Sequence, residues 1–158
     1  MNQASPREVR VEHERTAPQT LTAAAIAETA GAWFAIGERV PGTSGRAVDF
    51  HRWYAAWRER EGLREEPIPQ ALKLEAADAF EAIVPWEQLQ HAAILVATEQ
   101  GEPLGDIGPV RLYAPHGVSE CLNVKRVVRL QFMERAPSDL EATYGFKKVF
   151  APGEMRKK

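Results

Sequence analysis

Cysteine is almost missing from this chain: Cys121 is the only one in 158 residues. One thiol cannot form an intrachain disulfide, and it cannot build a zinc or iron–sulfur site that needs several cysteines. A surplus of one charge is missing too. Lys and Arg number 20 against 22 Asp and Glu, for a formal net charge of −2. That balance argues against sequence-blind nucleic-acid binding, which draws its affinity from clustered positive charge. The apolar runs are short. Residues 92–97 form one of the longest, far below the ~20 residues a membrane-spanning helix needs. The opening residues, MNQASPREVRVEHERTAPQ, contain no apolar core of a secretory signal. His13, His51, His91 and His116 are scattered and fit no HExxH or other metal spacing, and GxxxxGK[ST], GxGxxG and GxSxG do not occur. These absences point to a soluble protein of a reducing compartment, most simply the cytosol, with no nucleic-acid or membrane partner.

What is present is ordinary globular composition, with 44% hydrophobic and 27% charged residues. A chain of this length forms one domain and buries about two-thirds of its unfolded surface. Residues 1–18 are polar and read as a loose arm, in which Val9 and Val11 could form a short edge strand. The domain then runs over 19–150, and 151–158 read as a frayed tail. Thr20 or Thr22 can cap a helix over 21–30 that Gly31 would close. Its alanines favour helix by propensity. Trp33, Phe34 and Ile36 suggest a short buried strand, followed by the glycine-rich loop 40–46. Phe50, Trp53, Tyr54 and Trp57 fall at i, i+3, i+4 and i+7, one face of a helix that Asp49 can cap and Gly62 can end. Alternation over 72–76 and 80–84, with Asp78 between, predicts a hairpin. Pro85 begins a helical turn. Further strands are expected at 94–98, 110–114 and 124–132, the last with Val128, Leu130 and Phe132 on one side. A short helix is expected at 140–143. Strand pairs mixed with short helices predict an α+β fold, not the strict alternation of a doubly wound sheet.

One stretch carries a family resemblance. Residues 93–132 read AILVATEQGEPLGDIGPVRLYAPHGVSECLNVKRVVRLQF. An apolar strand ending in Ala97, the turn Gly101-Glu102-Pro103-Leu104, the loop Gly108-Pro109-Val110-Arg111, then Pro115 and Val124-Lys125 resemble the molybdopterin-binding domain of the sulfite oxidase family. The preceding hairpin, with Asp78-Ala79-Phe80 at its turn, and Tyr144-Gly145-Phe146 after the last strand extend the likeness to about 31–146. The resemblance implies a single domain with a mixed, strongly bent β-sheet flanked by short helices. The departures are specific. The family's metal-binding cysteine precedes a tight turn and a helix, and the equivalent segment here, WFAIGER at 33–39, has none. Cys121 lies far downstream. Val124-Lys125-Arg126 replaces Val-Lys-Trp, there is one residue fewer between Gly108 and Pro109, and Asp106 stands where some members place a pterin-binding histidine. A molybdenum ion would lack its protein thiolate. The resemblance therefore implies a degenerate, stand-alone member that binds a small anion, a pterin or another molybdopterin-like cofactor, or a protein partner. The alternative is a molybdopterin-dependent oxidoreductase whose metal is held by ligands other than its own cysteine.

Several residues are candidates for a site. By the resemblance, Arg111 contacts the anionic part of the cofactor, as a guanidinium fork suits phosphate. As a plain residue it is a strand-entry arginine paired with Asp106 or Glu102. Lys125 stands near the phosphate in the family, and with Arg111, Arg126 and Arg129 it could line a basic pocket or else a solvated strand face. Ser44, Gly45 and Arg46 lie in a loop that could wrap an anion with its N–H groups, or form an ordinary turn. Cys121 beside His116 and Glu120 reads either as a nucleophile or as a buried thiol. The aromatic stripe of residues 50–57 reads as core, with the option that part of it faces a partner. No metal ligand set and no catalytic residue is assigned.

Overall fold

The computed structural model describes residues 7–117, 123–135 and 143–146. Cys121, Glu120 and most of the expected helix at 140–143 lie outside these residues. The described residues form one mixed β-sheet and two α-helices, an α+β arrangement. The elements are β1 Glu8–His13, β2 Gln19–Thr22, α1 Ala23–Ala30, β3 Phe34–Ala35, β4 Arg46–Asp49 and α2 Phe50–Arg60. They continue with β5 Ala71–Ala76, β6 Phe80–Pro85, β7 Ala93–Ala97, β8 Val110–Tyr113, β9 Val124–Met133 and β10 Thr143–Phe146. The main path through the sheet is β10-β6-β5-β9-β8-β7-β4-β3. Every pairing is antiparallel except that of β1 with β9.

The long strand β9 is where the sheet forks. One side pairs along β5. The other side pairs with β8 over Val124 and Val127, then with β1 from Arg129 to Phe132. Residues 8–13, expected in a loose arm, are therefore built into the sheet between β2 and β9, and Val9 and Val11 are fully buried. The alternation Val-Arg-Val supplies the apolar face that a strand in this place must present.

The expected caps are used. Thr22 accepts a hydrogen bond from the Ala25 N–H at 3.0 Å, and Gly31 closes α1 at φ 85° in the left-handed region. Leu21, expected inside the helix, belongs to β2. Asp49 accepts from the Arg52 N–H at 2.8 Å at the start of α2. Of the short apolar strand expected around 33–36, only Phe34–Ala35 pairs. Trp33 is 54% exposed, and Ile36 begins a 3-10 turn.

The helices cover one face of the sheet. Phe50, Trp53, Tyr54 and Trp57 are all buried against Phe132 at the fork. The aromatic stripe is core along its whole length. Arg58, next along the helix from Trp57, is also buried. It donates to the carbonyls of Arg64 and Glu66 and so ties down the turn after the helix. On β9 the expected Val128 is only half-buried, while Val127 is fully buried. The register slips against both neighbours here, and Arg126 takes φ 57°. A bulge of this kind reverses which residues face the core.

His13 closes this core at the end of β1. Its side chain is 1% exposed and sits beside Trp57 and Phe132. Nδ1 accepts from the Arg15 N–H at 3.2 Å, and Nε2 has no hydrogen-bond partner, with Glu134 at 3.9 Å. Burial pushes the imidazole below its ordinary value of 6.5, although the Glu134 carboxylate opposes the shift. The unfolded chain therefore takes up this proton first as pH falls. Folding stability should decline as pH drops through about 6.5 towards the folded-state value. Urea unfolding at pH 7.5 and 5.5 checks this: the midpoint should fall at the lower pH, and His13→Phe should remove most of that fall.

Candidate functional site

A cleft of about 1030 Å³ lies between α1 and the loop 101–109. Its position follows from the sheet. β7 and β8 are joined by this loop, which carries the turn Gly101-Glu102-Pro103-Leu104 and the approach to Pro109. α1 runs along the far side, and its small residues Ala23, Ala24 and Ala27 leave the space open. Trp33 and Arg46 stand at the Gly31 end of the helix.

Arg46 is the best-defined polar group in the cleft. Its Nε donates to the Glu99 carbonyl at 3.2 Å, and its guanidinium lies 4.4 Å over the Trp33 ring. On the other side it packs on Gly101, where an added Cβ would come within 2.9 Å of Nη1. A carbonyl, an indole face and a glycine thus hold the plane. Among the described residues no carboxylate forms an ion pair with it. The guanidinium is positioned but not neutralised, and its terminal nitrogens remain available for an anion.

The remaining predicted residues are divided between places. Ser44 is exposed in the turn before β4. Gly45 is buried at φ 129°, and its carbonyl accepts from the Ile36 N–H. The Thr43 N–H is spent on the Val40 carbonyl. This part of the loop is a turn that sets β4 in place, with at least one of the expected anion donors already used.

Arg111 does not line the cleft. Val110 and Leu112, its neighbours along β8, belong to the helix-covered core, so Arg111 projects from the other face. There it lies 4.8 Å from the Tyr113 ring, beside a small second cluster that includes Leu95 and Ala47. Its Nε is buried without a partner, and no ion pair with Asp106 or Glu102 forms among the described residues. The pairing Val110↔Val127 and Leu112↔Val124 sets Arg111 opposite the Lys125–Arg126 bulge on the neighbouring strand, with Lys125 exposed. Arg129 does not join a basic pocket. It is bound by Glu12 at 2.8 Å and Glu75 at 3.1 Å, which raise its already high pKa, and its guanidinium in turn, with help from Arg10, holds the Glu12 carboxyl below its usual value. Arg46 lines the cleft and Arg111 does not, so these two arginines do not converge on one place.

Sequence reasoning missed Trp33 and the lining role of α1. The alanines at 23, 24 and 27 were read as helix formers, yet their spacing also marks one small-residue face, the available signal for a cleft wall. Nothing in the sequence indicates that Trp33 is exposed. Among the described residues no group of three or more His, Cys, Asp or Glu is placed to hold a metal, and no helix is long and apolar enough to cross a membrane. His116 lies beside His91, with ring centroids 4.9 Å apart. No protein-family model and no curated protein sequence matches the chain.

Proposed function

We propose that this chain is a cytosolic binding module on a sulfite-oxidase-like molybdopterin-binding scaffold, which takes a small anion or cofactor-like ligand without molybdenum redox chemistry. The observation that carries this reading is Arg46, fixed over Trp33 inside the cleft and left without a carboxylate. A second support is the place of the resemblance itself: Gly101, Pro103, Leu104, Gly108 and Pro109, from its two most specific loops, line the same cleft. The donor set does not fit the family's metal. The segment 33–39 has no thiol, and among the described residues the cleft lining contains neither His nor Cys, with Glu28 its one carboxylate. Soft metals need sulfur ligands for affinity. Arg46, with Arg7 on the same cleft, supplies an anion site instead.

Two measurements test this. Protein purified from a host able to make the molybdenum cofactor should contain no near-stoichiometric molybdenum or tungsten by elemental analysis. Fluorescence of the oxidised pterin shows whether pterin alone is retained. Arg46→Gln should weaken binding of small organic anions about tenfold, the loss of one charge-assisted contact, with an unchanged thermal midpoint. Stoichiometric metal, or anion binding indifferent to Arg46, would overturn the reading.

A further inference from the structure

We infer that the ligand of this cleft is an amphipathic monoanion, a carboxylate carrying an extended apolar body. The inference rests on the reading of the cleft as an anion-binding site and narrows its ligand class.

The charge of the lining sets the first limit. Among the described residues Arg7, Arg46 and Glu28 are its ionisable side chains, so together they offer one net positive charge. A polyphosphate or another strong polyanion would meet two arginines and a repelling carboxylate, whereas a single carboxylate can be matched by Arg46 alone.

The shape and chemistry of the walls set the second. α1 contributes Ala23, Ala24 and Ala27, and the opposite side contributes Val96, Leu104 and Pro109. Between the capping Thr22 and Gly31 the helix spans about 12 Å, so the apolar channel extends well beyond the reach of a simple inorganic ion. Trp33 is 54% exposed at the Arg46 end, its ring partly covered by the guanidinium and otherwise open. A large apolar cleft with one fixed polar anchor is the usual form of a site for an apolar organic ligand oriented by its head group. A carboxylate on Arg46 would lay its apolar body along the alanines, removing that surface from water.

The test uses the full chain and three probes: decanoate below its micelle concentration, decanol, and inorganic phosphate, titrated by calorimetry. Decanoate should bind at least about tenfold more tightly than decanol and than phosphate. Arg46→Gln should weaken decanoate about tenfold and leave decanol unchanged. Ala24→Leu, at an exposed helical position on the cleft wall, should weaken decanoate without lowering the thermal midpoint. Phosphate binding as tightly as decanoate, and depending on Arg46, would overturn the amphipathic ligand and leave the anion-binding module standing. Equal binding of decanol and decanoate would overturn the carboxylate anchor. Binding of none of the three would overturn both readings.

Discussion

Phe132→Ala should lower the unfolding free energy by about 3–5 kcal/mol, the cost of emptying a fully buried aromatic site. Phe132 is completely buried, and its ring lies 4.5 Å from Tyr54 and 5.8 Å from Trp57, with Trp53, Phe50 and Trp86 within 6.3 Å. It comes from β9 at the place where the sheet forks, and its partners come mostly from α2. Losing this ring leaves a void bounded by a helix and two strand pairings, which rigid aromatic neighbours cannot readily refill. Since domains of this size are held by about 5–15 kcal/mol, the loss is a large part of the total. Urea unfolding checks it: the midpoint should fall steeply with little change in slope. A loss below about 1 kcal/mol would mean that the ring is not a keystone of the core.

Gly45→Ala should be nearly as damaging, at about 3 kcal/mol, from backbone strain and overpacking together. At φ 129° the residue holds a conformation that L side chains rarely adopt. An added Cβ would lie 2.7 Å from Leu95 Cδ1 and 2.8 Å from the Ala97 carbonyl oxygen. The leucine end can shift, but the backbone oxygen cannot without disturbing the pairing of β4 with β7. Gly42 provides the comparison: it also has positive φ, at 87°, but an added Cβ meets nothing within 4 Å. Gly42→Ala should therefore cost only the conformational strain, about 1 kcal/mol. The contrast separates two roles for the loop. A glycine with open space around it, such as Gly42, loses only the conformational part on substitution. Gly45 should lose stability even with no ligand present.

Much of this fold was legible because its signals are local. Thr22 and Gly31 bracket α1, Asp49 starts α2, and the 3.6-residue period of Phe50, Trp53, Tyr54 and Trp57 gives the buried face. The hairpin of β5 and β6 follows from two-residue alternation around Asp78. What was not legible depends on distant partners. β1 looks like an arm because four alternating residues are a weak signal, and only the free side of β9 gives Val9 and Val11 somewhere to be buried. The bulge at Arg126 leaves no mark in composition, so Val128 was expected where Val127 sits. The candidate site divided for a related reason. Arg111 and Arg46 lie on neighbouring parts of the sheet, yet the parity of β8 turns Arg111 away from the face that carries the cleft. Linear motifs name residues, but strand parity decides which of them share a face.

A small organic anion should be held beside Arg46 in the cleft under α1. Backbone-amide NMR titration of the full chain with decanoate tests it most directly. Saturable shifts should cluster at 22–33, at Arg46 and along 101–108, all weakened in Arg46→Gln. Shifts confined to Arg111, Lys125 and Arg126, or no saturable shift at all, would contradict it.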